Sequence, residues 1–242
     1  MNICTHIDCK FTKNIFCLQI FLLKKHKPVI YIDFNKGNSS DLPSLKNVIS
    51  ATFDSYERQW GITPKYDDLS VRFATLIEAA SEKAGRKTVV LVDEYDKALV
   101  NTMDDLQKHE ELRLFLKGFY GVLKGMDSCL RFVFLTGVTK FSKVSVFSDL
   151  NQLIDISIED SFAGICGISE VELVQNFEPE LQALAVKTEM TYDETLAEMK
   201  KRYDGYRFAE TGDGMYNPFS VLNVFRSNRF GYYWHKSGTP TF

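Results

Sequence analysis

A chain of 242 residues with 45% apolar and 25% charged side chains can bury a sizeable core and has the balance of a globular protein. Its formal net charge of -3 excludes a global electrostatic footprint for nucleic acid. The five cysteines are an odd number without framework spacing, which excludes a secreted disulfide scaffold.

Cys4, His6, Cys9 and Cys17 crowd the N-terminus, but zinc knuckles use tighter, paired spacing, and the cluster is read as chance. Residues 16–23 are apolar except for Gln19. The run is too short to cross a bilayer as a helix. Lysines follow it at Lys24, Lys25 and Lys27, and no small-residue cleavage site appears, so it reads as a buried element of a cytoplasmic protein. Three strongly β-forming runs follow, over residues 28–34, 88–93 and 130–136. The second and third are almost continuously apolar, as in strands covered on both faces.

Helical stripes fill the gaps. Leu45, Val48, Ile49, Phe53, Tyr56 and Trp60 share one face, with Ser44 as expected N-cap and Gly61 as stop. Leu69, Phe73, Leu76, Ile77 and Ala80 form a second stripe, closed by Gly85. Leu112, Phe115, Leu116, Phe119, Val122 and Leu123 form a third. Strands alternating with helices imply βαβ crossovers and an α/β fold. Residues 152–157 allow one more short strand. Beyond them Ser169 with Glu172, Thr191 with Glu194, and Asn217 before Pro218 mark three helix starts in a small helical subdomain.

The chemistry centres on Val89-Val90-Leu91-Val92-Asp93-Glu94. The carboxyl end of a parallel strand faces the crevice where α/β proteins bind ligands. One carboxylate there can hold Mg²⁺ through its water shell, and its neighbour can take a proton from a water attacking a γ-phosphate. Four apolar residues before Asp93-Glu94 therefore have the form of a Walker B element. An acidic turn closing a strand has the same form, and both readings stand on pattern alone. Thr136, Thr139 and Lys140 end the third β run with hydroxyls and a cation, either for a γ-phosphate or as a polar turn around Gly137.

Read in series, VIYIDF, VVLVDEYDKAL, LKGFYGVLK, RFVFLTGVTKFSKVSVFSDLN, DISIED, ICGISEVEL, YDGYRF, YNPFSVLN and YYWHKSGTPTF resemble the bacterial AAA-ATPase-like family from residue 27 to 242. Members often carry a PD-(D/E)XK nuclease-like domain after the ATPase. The resemblance implies a P-loop NTPase-like parallel sheet with flanking helices, then a helical lid. It implies ATP and Mg²⁺ as cofactors. Asp93 becomes the Mg²⁺-associated aspartate, Glu94 the catalytic base and Thr136 the sensor residue, with Thr139 beside the nucleotide. On it, residues 1–26 are an atypical N-terminal segment, 27–160 a partial ATPase core and 161–242 the lid. Arg113, Arg131 and Arg202 are candidate arginine fingers or ordinary surface residues.

The chain departs from that family in two places. No G-x-x-x-x-G-K-[ST] loop occurs; Lys36-Gly37-Asn38-Ser39 and residues 83–87 have the wrong spacing. Without such a nest of backbone N–H groups the β- and γ-phosphates lose their main cradle. The expectations are a truncated or frame-shifted fragment, a sheet whose central P-loop strand is missing, and residues 16–23 as a surrogate strand in the gap. The second departure is that residues 1–242 themselves hold no nuclease-like sequence, since Tyr95-Asp96-Lys97 lacks the acid of a (D/E)-X-K signature. The reading is an ATPase-like protein with impaired activity or, alternatively, a non-catalytic interaction module, with neither nucleic acid nor membrane indicated.

Overall fold

The structure is a computed structural model that describes residues 2–5, 28–138, 145–148, 150, 153–157, 159–162, 164, 167–205 and 214–233. The run 16–23 and Thr139 lie outside these residues. Two compact units form, Met1–Ile156 and Ser157–Phe242.

Unit one holds strands β1 (Asn2–Thr5), β2 (Val29–Asp33), β3 (Thr88–Asp93), β4 (Leu130–Leu135) and β5 (Leu153–Asp155). They form a five-stranded sheet in the order β2-β3-β4-β1-β5, and every pair is parallel. One expectation is corrected here. The slot between β4 and the last strand is not empty: Asn2–Thr5 fills it, with Asn2 opposite Phe132 and Ile3 opposite Leu153. A parallel ladder left open inside a sheet strands two rows of backbone groups, so even four residues are strongly favoured there.

Helices α1 (Leu42–Trp60), α2 (Leu69–Ala84), α3 (Lys97–Val100) and α4 (Leu106–Gly121) belong to the same unit. Alternation along the strands sends Ile30, Ile32, Val90, Val92, Val133 and Leu135 into one core with Leu45, Phe53, Phe73, Leu76, Leu116 and Phe119 of these helices. Phe73 lies between Phe53 and Phe119, with ring centroids 5.5 and 4.9 Å away. All six residues of β3 are buried, as a strand covered on both faces requires. The cap of α1 is Asp41 rather than Ser44: its side chain accepts from the Ser44 amide, with Pro43 inside the first turn. Gly61 and Gly85 end α1 and α2 in the left-handed conformation.

Two polar contacts tie unit one together. On β2, the Tyr56 hydroxyl of α1 accepts from the Tyr31 amide at 2.8 Å and donates to the Tyr31 carbonyl at 3.4 Å. Between α1 and α2, Arg72 is 8% exposed and pairs with the equally buried Glu57 at 2.6 Å. It also reaches Asp54 at 2.7 Å and Ser50 at 3.0 Å. Hydrogen bonding to Glu57 is the leading cause that raises the guanidinium pKa above its ordinary value.

Unit two holds α5 (Glu170–Thr188), α6 (Tyr192–Tyr203) and α7 (Pro218–Ser227). Capping boxes at Ser169/Glu172 and Thr191/Glu194 open the first two, and Asn217 caps the third. Phe177 breaks the dihedrals of α5 two residues before Pro179, which has no N–H to give the ladder. Leu173, Leu181, Leu184, Met199, Val221 and Val224 form its own core. No helix among the described residues is long and apolar enough to cross a membrane.

Arg72→Ala leaves Glu57 charged and buried, and truncating one partner of such a pair costs about 3–5 kcal/mol. Urea unfolding should show that loss, and Arg72→Met with Glu57→Leu should recover most of it.

Candidate functional site

The site forms where β3 and β4 end side by side. Asp93, the last residue of β3, is 1% exposed. Its Oδ1 accepts from the Thr136 hydroxyl at 2.6 Å. Its Oδ2 accepts from the Tyr31 hydroxyl of β2 at 3.2 Å. Thr136 follows β4 and keeps its ladder going: its amide donates to the Val92 carbonyl at 2.9 Å, and its carbonyl accepts from the Tyr95 amide at 2.8 Å. Backbone pairing thus sets the side-chain pairing of Thr136 with Asp93.

Glu94 turns the chain. Its φ of 58° puts a non-glycine residue in the left-handed region. That conformation carries a strain of order 1 kcal/mol or more and clusters at functional sites. The Glu94 side chain is half-buried. The next two residues are fully buried. Both Asp96 carboxylate oxygens accept from the Val138 amide at 3.1 Å. The Tyr120 hydroxyl donates to the Tyr95 carbonyl at 3.2 Å. Burial, reinforced by the charge of Asp96, pushes the Tyr120 phenol well above the ordinary tyrosine value. Gly137 lets these parts meet: a Cβ there would lie 2.5 Å from Tyr95 Cε1 and 2.6 Å from Asp96 Oδ1.

Beside them, Asp33 at the end of β2 is in register with Asp93, and its side chain accepts from the Asn35 amide at 2.9 Å. Lys36 sits over the Tyr31 ring, 5.4 Å from its centroid.

Of the residues singled out from sequence, Asp93 and Thr136 come into direct contact and Glu94 adjoins them. Arg113 is paired with Glu110 and Arg202 with Glu198, while Arg131 is exposed on β4. Tyr31 and Asp96 are the polar groups the sequence reading missed. Tyr31 stands opposite Leu91, two residues before the strand end, and a diagonal neighbour on a sheet is within reach of an aromatic side chain. That placement was the available signal. Asp96 gave none, because its partner is a backbone amide across the sheet.

Among the described residues no group of three or more His, Cys, Asp or Glu side chains could hold a metal. Mg²⁺ does not require one, since it is commonly bound through one or two carboxylates, water and phosphate. A carboxylate offers about four lone-pair sites, so two hydroxyl donors do not by themselves exhaust Asp93. A carboxylate flanked by hydroxyls is a donor type compatible with that ion.

A family model described as predicted AAA-ATPase matches residues 17–147, more than half of the chain. An uncharacterized protein in the vnfD 5' region of Azotobacter chroococcum mcd 1 is 37% identical over 218 residues. The match takes in 90% of this chain but 40% of that relative, so the chain spans well under half of the relative's length. Among solved structures, the Aeropyrum pernix ORC2 protein in its ADPNP–ADP complexes aligns with 99% of this chain and 64% of its own, at 9% identity and a TM-score of 0.40. That likeness is too distant to bear on the fold.

Gly137→Ala forces Tyr95 and Asp96 away from the 136–138 turn. Overpacking of this kind costs about 1–3 kcal/mol. Amide exchange should also quicken at Tyr95 and Val138 before the rest of unit one.

Proposed function

This chain belongs to the predicted AAA-ATPase family, and from that premise we propose that the carboxyl ends of β3 and β4 form the hydrolytic half of an ATP·Mg²⁺ site. The contact that supports this most is the 2.6 Å hydrogen bond from Thr136 to the buried Asp93 carboxylate, beside the strained Glu94. In this reading Asp93 holds Mg²⁺ through its water shell, oriented by the hydroxyls of Thr136 and Tyr31. The ion, when bound, neutralises charge developing on the β- and γ-phosphates. Glu94 accepts the proton of the attacking water, for which its half-buried side chain keeps access to solvent. Thr136 and Thr139 orient that water and the γ-phosphate. The helical unit, with a core of its own, serves as a lid-like subdomain.

The sequence lacks a G-x-x-x-x-G-K-[ST] loop. Phosphate recognition normally rests on that loop's amides and lysine, so we propose that binding and turnover by this chain are impaired. The same absence favours the second reading, an interaction module that keeps the ATPase-like fold without its reaction.

Equilibrium titration with a fluorescent ATP analogue and Mg²⁺ should give a dissociation constant well above the micromolar range. Micromolar affinity would overturn the impairment, and Glu94→Gln should then retain binding while hydrolysis falls by about 10²–10⁴-fold. Complete absence of binding at millimolar analogue would select the non-catalytic module.

A further inference from the structure

We infer that Tyr31, from the edge strand, is a positioning residue for Asp93. The inference rests on the proposed role of Asp93 as the residue that carries the divalent ion. A carboxylate in a strand-end turn can rotate about its last bond unless both oxygens are held. Here they are held from opposite sides. Thr136, just past the end of β4, donates to Oδ1, and Tyr31 on β2 donates to Oδ2. One hydroxyl therefore comes from each side of β3, from β2 and from the residue that follows β4, and together they set the plane of the carboxylate.

Tyr31 is itself fixed before it reaches Asp93. The Tyr56 hydroxyl clamps its backbone amide and carbonyl. Lys36 lies over its ring. The hydroxyl is delivered from a strand that carries none of the residues assigned to the reaction, so its purpose is orientation. Partners that orient a metal-bound carboxylate typically change metal affinity by about 10–100-fold when removed.

Tyr31 is half-buried and lines a groove of about 510 Å³ between β2 and α1, so removing its hydroxyl leaves the ring's surroundings in place. This makes Tyr31→Phe a clean test. The probe is Mn²⁺ alone, titrated into the ¹⁵N-labelled full chain. The readout is the concentration that half-broadens the Glu94 and Tyr95 amide signals. The expected result is localised broadening in the wild type, its loss in Asp93→Asn, and a midpoint raised about tenfold in Tyr31→Phe. Tyr56→Phe, which loosens the same strand but leaves both hydroxyl donors to Asp93 in place, should raise the midpoint clearly less than Tyr31→Phe does.

An unchanged midpoint in Tyr31→Phe, with broadening still abolished in Asp93→Asn, overturns the positioning role and spares the metal reading. An equal rise in Tyr56→Phe and Tyr31→Phe also overturns it, because strand stability would then be the cause. Absence of localised broadening in the wild type, or its persistence in Asp93→Asn, overturns the metal role of Asp93 and the positioning role with it.

Discussion

The site depends on how β3 and β4 part. Most parallel neighbours separate where the strands end and the turns begin. Here the ladder runs one step further: the Thr136 amide finds Val92, and the Thr136 carbonyl finds Tyr95. That extra rung fixes where Thr136 stands against Asp93. It also requires the chain to reverse between Asp93 and Tyr95, which places Glu94 at φ 58°. The strain at Glu94, the closeness of Gly137 to Tyr95 and Asp96, and the burial of Asp96 all accompany this one pairing. A backbone hydrogen bond contributes about 0.5–1.5 kcal/mol, so two of them plus the charge-assisted bonds to Asp93 and Asp96 can offset the strain.

Much of this was legible in the sequence. The continuous apolar run ending in Asp93-Glu94 marked a strand covered on both faces, and the structure buries all six of its residues. The stripes Leu45 to Trp60 and Leu69 to Ala80 marked core-facing helices because their period is 3.6. Capping boxes were readable because they are local, three residues apart. The α1 cap was misplaced by three residues because Asp41 and Ser44 are both good caps, and Pro43 favours the earlier start.

What could not be read was set by partners far away in the chain. Tyr31 points to Asp93, 62 residues later, only once the register of β2 on β3 is known, and nothing around Asp96 announces the Val138 amide. The short β1 was illegible for a different reason. Four residues carry too little pattern to identify a strand, and their place in the sheet comes from the open ladders on either side. The longer apolar run at residues 16–23, expected as a surrogate strand from its length and apolarity, lies outside the described residues.

The Tyr56 hydroxyl has a meaning beyond the site. β2 is the first strand of the sheet, and a first strand offers free N–H and C=O groups to any extended chain that drifts past. Tyr56 answers both groups of the Tyr31 peptide edge at once, acting as a one-atom substitute for a sixth strand. Donor-strand docking from outside would have to dislodge that phenol and turn α1 away from the sheet. The Tyr31 rung of that flank is thus closed by a side chain already committed to the core.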